Sequence, residues 1–404
     1  MTLPAGPRRP SALQLLEWVR RPFALMDECA ARFGDAFTLR FAGIGTLVFF
    51  SSPDDLRAIF TGDADVLHAG EANALLSGVL GPSSVLTLDG AEHLRQRKLL
   101  LPPFQGERMQ AYAAAMRDAT LRSIAAWPAG EPFALQPLMQ AITLDVIVRT
   151  VFGVTEGAAK SRLVAALERL LRTIGAPYAL LIPPTLSIFG ERAAAWAQRR
   201  ITAEVDRELY AEIAARRAAA DGAGRDDILS LLLEHPDALA RVEAEVAEGG
   251  HDQLDAAIKE SMRLRPIVPI VVRTTKAPVM IGGREIPAGV KVAPCIYLAQ
   301  RRPELYPEPH LFRPERFLGG KPDPYRWLPF GGGIRRCIGI HFALLEMRIV
   351  IATVLERTRL RLASSEPVRF SRRGITIAPA DGTRVVLSAA APSARSRSSS
   401  PART

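Results

Sequence analysis

Cysteine is scarce in this chain: Cys29, Cys295 and Cys337 are the three in 404 residues, an odd and widely spaced set that argues against a disulfide framework and suits a reducing compartment. Long apolar runs are missing as well. The N-terminal stretch MTLPAGPRRPSALQLLEWVRRPF has neither the roughly 20 apolar residues of a bilayer span nor an apolar core followed by a small-residue cleavage site. A cytoplasmic protein with no membrane span is therefore expected. No internal repeat and no Gly/Ser-rich linker breaks the chain, which favours one large domain over residues 1–389. The net charge is +10, yet Arg is scattered through Ala-rich segments instead of forming a dense stripe with interleaved aromatics, so no nucleic-acid partner is expected. The last residues, APSARSRSSSPART, are basic, Ser-rich and without apolar periodicity, and 390–404 reads as a disordered basic tail.

What is present is mainly helical with small β-sheets, an α+β pattern. Residues 37–50, FTLRFAGIGTLVFF, alternate in strand fashion around Gly43-Ile44-Gly45 and predict a hairpin, and Ser52-Pro53-Asp54-Asp55 predicts the cap of a short helix. From about residue 106 to 220 helices rich in Ala, Leu and Arg dominate, for example Leu138 to Phe152 and Glu191 to Ala220, with an interruption from Gly175 to Pro184. Strand-like pieces return at Val268 to Thr274, Val279 to Ile281 and Lys291 to Pro294, and a Pro-rich irregular stretch runs from Arg302 to Pro329.

The most informative segment follows it. Phe330-Gly331-Gly332-Gly333-Ile334-Arg335-Arg336-Cys337-Ile338-Gly339 spells F-G-x-G-x-R-x-C-x-G. Its glycines let the backbone bend tightly and let a flat ligand approach, its arginine offers a fork of donors to a carboxylate, and its cysteine is placed to present one thiolate to a metal. Gly339 to Leu355 has helical apolar spacing, so Cys337 is expected at a helix N-terminus, where partial positive charge favours the thiolate. Upstream, Glu260-Ser261-Met262-Arg263 sets an acid and a base one helical turn apart, and Phe312-Arg313-Pro314-Glu315-Arg316-Phe317 follows.

With these motifs the chain resembles the cytochrome P-450 family of haem-thiolate monooxygenases over nearly its whole length. The resemblance implies haem b with Cys337 as axial ligand, held by Phe330, Gly331 and Gly339 of the loop. It also implies that His93 and Arg97 of an H-x-x-x-R helix, Arg273 and Arg335 face the two haem propionates. Glu260, Arg263 and Arg316 would form a buried structural network, and Leu76, Leu80, Ile182, Val268 and Ile375 would touch substrate. Residues 175–184 match the family's substrate-access loop. The implied reaction inserts one oxygen atom from O2 into a small hydrophobic substrate, with electrons from NAD(P)H delivered by a ferredoxin or flavin reductase. A basic face including Arg326, Arg335, Arg336 and Arg348 could dock such a partner. A monomer is expected.

One family element is missing. The long central helix, which carries an acid and an alcohol in an A/G-G-x-D/E-T context, cannot be found. The helices that should flank it, Arg225 to Leu233 and His235 to Val242, are separated by Glu234 alone, so an internal deletion is expected near 233–235. The literal A-G-x-x-T of the chain, Ala42-Gly43-Ile44-Gly45-Thr46, falls in the hairpin turn and holds no acid. A helix of about thirty residues spans about 45 Å, so its loss puts the fold at risk and removes the relay that delivers protons to bound dioxygen. No catalytic acid or alcohol is therefore assigned. The alternative is a haem-binding protein that has lost monooxygenation and serves as carrier, sensor or peroxide-only catalyst.

Overall fold

The computed structural model describes residues 3–81, 83–101, 104, 108–150, 157–174, 202–208, 211, 248, 250–373 and 376–388. Helices carry about half of the described chain, in line with the apolar periodicity. The helix Ile340–Arg357 buries Phe342, Met347, Val350, Ile351 and Val354, and it packs against the helices Arg108–Ile124 and Asp252–Leu264 to form the largest apolar cluster. Phe342 meets Tyr112 edge-on at 5.5 Å between ring centroids. Removing that much apolar surface from water, at about 25 cal/mol per Å², anchors the helix that follows the cysteine loop.

The strands form small sheets. β1 (Ala36–Phe41) and β2 (Gly45–Phe50) are the predicted hairpin, with Phe41 opposite Gly45. Gly43 and Gly45 both have positive φ, which explains why the A-G-x-x-T string is a turn. β3 is Leu67–His68, β4 Pro132–Ala134, β5 Arg273–Thr275, β6 Val279–Ile281, β7 Arg284–Ile286 and β8 Lys291–Pro294. β9 (Arg359–Leu362), β10 (Phe370–Arg373), β11 (Thr376–Pro379) and β12 (Arg384–Ser388) complete the set. The main sheet has the order β1-β2-β8-β5-β3, with β2 and β8 parallel.

Several sequence expectations are corrected. Ser52 precedes the helix Pro53–Thr61 but its side chain makes no capping bond; Pro53 starts the helix with its fixed φ. The strand expected over Val268–Thr274 is confined to Arg273–Thr275. Pro266 and Pro269 cannot donate to a ladder, and the segment joins the sheet region only through single bonds such as Val271 N to Pro294 O at 3.2 Å. The helix expected from Leu138 is Leu135–Thr150. The 175–184 loop, nearly all of Glu191–Ala220, the 233–235 join and the 390–404 tail lie outside the described residues.

Candidate active site

The cysteine loop is held by its neighbours. Cys337 N donates to Phe330 O at 3.0 Å, closing the loop on itself, and Gly331 N donates to Leu328 O at 2.9 Å. Gly331 and Gly333 adopt positive φ (69° and 64°). The need for glycine is sharpest at Gly333, where a Cβ would lie 1.8 Å from the Phe60 carbonyl oxygen. The Phe330 ring stands edge-on to Trp327 at 5.8 Å, and Trp327 Nε1 donates to Lys259 O at 3.0 Å. Gly339 caps the helix Ile340–Arg357, close to the predicted start, so Cys337 lies just outside the helix N-terminus.

The loop opens onto a cavity of about 940 Å³, at the top of the size range of small-molecule sites. Its wall brings together Cys337, His93, Arg97, Arg273, Phe330, Gly331, Arg335 and Gly339, which in sequence lie up to 246 residues apart. Leu76 and Val268 line it too. Leu80 does not: it ends a one-turn helix before Gly81 and is exposed, outside the wall. Ile182 and Ile375 lie outside the described residues.

Cys337 is exposed, and its exposed side belongs to the cavity wall. Burial of the group by surrounding protein pushes its thiol above the ordinary value, outweighing the Gly339 backbone N–H and the charges of Arg97 and Arg336, which favour the thiolate. The helix terminus alone therefore does not ionise it. Burial, followed by the charges of Arg335 and Arg97, pushes His93 down to about 4, so the ring is neutral at pH 7. Its Nδ1 is buried without a partner. Burial also lowers Arg273 to about 10, and its Nη1 donates to Val272 O at 2.9 Å. Arg97 Nη2 donates to Arg336 O at 2.7 Å.

Arg335 is engaged differently. Its fork donates to Val85 O at 3.1 Å, to Leu88 O at 2.5 Å and to the Asp89 carboxylate. Asp89 in turn accepts the backbone N–H groups of Gly70 and Glu71, both at 2.8 Å. Glu71, the acid on the cavity wall, pairs with Lys276 at 2.9 Å. The acids nearby are thus spent, while Arg97 and Arg273 have only carbonyl partners among the described residues. A buried surplus of cationic donors around one cysteine is costly without an anion and suited to a flat ligand bearing carboxylates.

The Glu-x-x-Arg motif is fully buried, with Glu260 and Arg263 both 0 % exposed. Arg263 donates twice to Glu260, at 2.6 and 2.8 Å, and to Gln300 O, Pro309 O and Leu311 O. Glu260 also accepts Arg313 N at 2.9 Å and Arg316 Nε at 3.2 Å. The acid and guanidinium therefore fix the irregular segment that leads to the cysteine loop.

Sequence reading missed Asp89, Phe60 and Gln300. Gln300 is fully buried and its side-chain amide bonds Arg326 O while its carbonyl accepts Leu328 N at 3.4 Å. None belongs to a motif, because the partners of each come from distant parts of the chain. The expected basic docking face is also reduced: Arg335 is tied to Asp89 and Arg348 to Asp255, leaving Arg326 exposed and Arg336 half-buried.

A model of the cytochrome P450 family matches residues 4–238 and 224–383, two overlapping segments that together span most of the chain. The protein named cytochrome P450 135B1 of Mycobacterium tuberculosis (strain H37Rv) is 35% identical over 433 aligned positions, covering 95% of this chain and 91% of its own length. Cytochrome P450 138 of the same strain is 34% identical, covering 95% and 96%. Among solved structures, the retinoic acid-bound cyanobacterial CYP120A1 superposes with a TM-score of 0.80 at 22% identity, covering 96% of this chain and 99% of that one. The P450DA haem domain gives 0.78 at 21%, covering 96% and 98%. No helix among the described residues is long and apolar enough to cross a membrane.

Proposed function

This chain belongs to the cytochrome P450 family of haem-thiolate monooxygenases, and on that footing we propose that Cys337 is the axial thiolate of a haem b and that the chain inserts one atom of dioxygen into a hydrophobic organic substrate. The observation that carries this reading is the pairing of a cavity-facing Cys337 with cationic donors that lack an anion. Haem fits the residues present. Its two carboxylates match the buried Nδ1 side of His93 and the carbonyl-bound guanidinium groups of Arg97 and Arg273, and its flat face suits a loop whose Gly331 carries no side chain.

When bound, haem supplies the redox chemistry of dioxygen activation, to which a thiolate ligand contributes electron density. The chain's own residues do the rest. The Phe330–Cys337 bond and the Phe60 contact fix the direction of the thiol, and Arg97 and Arg336 favour its ionised form. His93, Arg97 and Arg273 bind carboxylates, while Arg335 orients the segment Val85–Asp89 and adds positive potential. Leu76, Val268, Ile270 and Val271 give the cavity an apolar wall that excludes water. Electrons from NAD(P)H through a ferredoxin or flavin reductase complete this reading, with exposed Arg326 as a contact for an acidic partner.

A second reading, a haem protein without oxygen-driven turnover, is favoured by the absence from the sequence of the acid-and-alcohol motif. The family match in two overlapping segments supports it, as does an alignment of 433 positions against 95% of a 404-residue chain, which leaves gaps opposite part of the relative. The reduced, carbon-monoxide-bound spectrum of purified, haem-supplemented protein tests the first reading. A strongly red-shifted Soret band is expected; an unshifted band or no haem uptake would overturn it. Product formation with a reductase and NAD(P)H against product formation with peroxide alone then separates the two.

A further inference from the structure

The cavity extends beyond the cysteine loop, between the N-terminal helices and the β1–β2 hairpin, where Trp18, Phe41, Ile44 and Leu47 form its wall. Trp18, Phe41 and Leu47 belong to one apolar cluster with Ala293, and Ile44 packs against it. A charged side chain is unexpected on such a wall, yet Lys291 lines it. Lys291 opens β8, opposite Leu47 of β2 and Thr274 of β5, and the pleat sets it on the same face as Ala293. It is half-buried, and its Nζ donates to Ile44 O at 2.9 Å. It makes no ion pair with a carboxylate among the described residues. An ammonium has three donors, and one is used here.

Among the other charged groups on the described wall, Arg335 is paired with Asp89 and Glu71 with Lys276, Arg97 donates to Arg336 O and Arg273 to Val272 O, and Arg336 and His93 lie on the stretch of wall shared with Cys337. Lys291 is therefore a cation set among aromatic and aliphatic side chains, the arrangement that selects a ligand with an apolar body and one anionic end.

We propose that Lys291 is a specificity residue that binds the anionic head of the substrate, and that the substrate class is an amphipathic organic acid whose chain lies along Trp18, Phe41 and Leu47. The carboxylate held at Lys291 then directs the opposite end of the molecule deeper into the cavity, toward the space a haem would occupy. The assignment depends on the reading of this cavity as the substrate site.

Calorimetric titration of the haem-supplemented protein with decanoate and with 1-decanol tests it. Decanoate is expected to bind about ten- to a hundredfold tighter, as one charge-assisted hydrogen bond implies. Lys291→Met is expected to abolish that preference while leaving 1-decanol unchanged, and Lys291→Arg to keep it. Should the methionine variant fail to fold, Lys291→Gln retains a donor for Ile44 O without the charge. Equal binding of acid and alcohol by the unaltered protein, or a preference that survives loss of the charge, overturns the assignment. The carbon-monoxide spectrum of the same sample reads the haem assignment separately. A red-shifted band without acid preference overturns Lys291 alone, and acid preference without the band overturns the thiolate reading alone.

Discussion

Every N–H of the Arg263 guanidinium has an acceptor, and Glu260, which takes two of them, is as inaccessible to solvent as its partner. Replacing one member leaves the other charged and buried. Arg263→Leu and Glu260→Gln are each expected to destabilise the protein by about 3–5 kcal/mol, read from the urea midpoint. Arg316→Leu should cost less, because its 3.2 Å bond is one of several on Glu260.

Cys337→Ser is expected to abolish the red-shifted carbon-monoxide band. Because the side chain faces the cavity, stability of the haem-free protein should stay within about 0.5 kcal/mol. Arg97→Leu should preserve the band but lower haem retention about tenfold, measured by transfer of haem to an acceptor protein.

Burial holds the His93 ring neutral, with protonation pushed down to about 4 in the folded chain. The unfolded chain takes up its proton near pH 6.5, so the folded state loses stability as pH falls from about 6.5 to 4, by up to about 3 kcal/mol, and the full contribution is present above that window. Urea titrations of the haem-free protein across this range should show the slope, and His93→Gln should remove its share of it.

Gly333 and Gly331 offer an internal comparison. Gly333→Ala should cost at least about 2 kcal/mol and weaken haem retention, because the new methyl meets the Phe60 carbonyl. Gly331→Ala has positive φ but open space, and should cost about 1 kcal/mol. Thermal melts of the two variants distinguish close packing from backbone strain.

The sequence was most legible where one residue type does a job that others cannot. The F-G-x-G-x-R-x-C-x-G string, the Glu260–Arg263 spacing and the hairpin around Gly43 and Gly45 all correspond to observed geometry. Periodicity placed the described helices Leu135–Thr150 and Ile340–Arg357 within a few residues. It failed at Val268–Val272, where β-branched residues suggest a strand but Pro266 and Pro269 deny it hydrogen bonds and the segment serves as cavity wall. Asp89 and Phe60 were invisible because their significance comes from Arg335 and Gly333, more than 200 residues away. Nor could charge alone show that Arg335 and Arg348 are already paired.

The Arg263 clamp also bears on the order of folding. Its carbonyl acceptors lie 37, 46 and 48 residues further along the chain, whereas its carboxylate partner is one helical turn away. The helix Asp252–Leu264 can form locally, but the guanidinium remains only half engaged until the long irregular segment has been drawn back across it, a closure opposed by chain entropy. The cysteine loop follows that segment, so its final shape depends on the same closure. On the proposed assignment of Cys337, haem capture needs the finished loop and is therefore expected to follow closure of that segment.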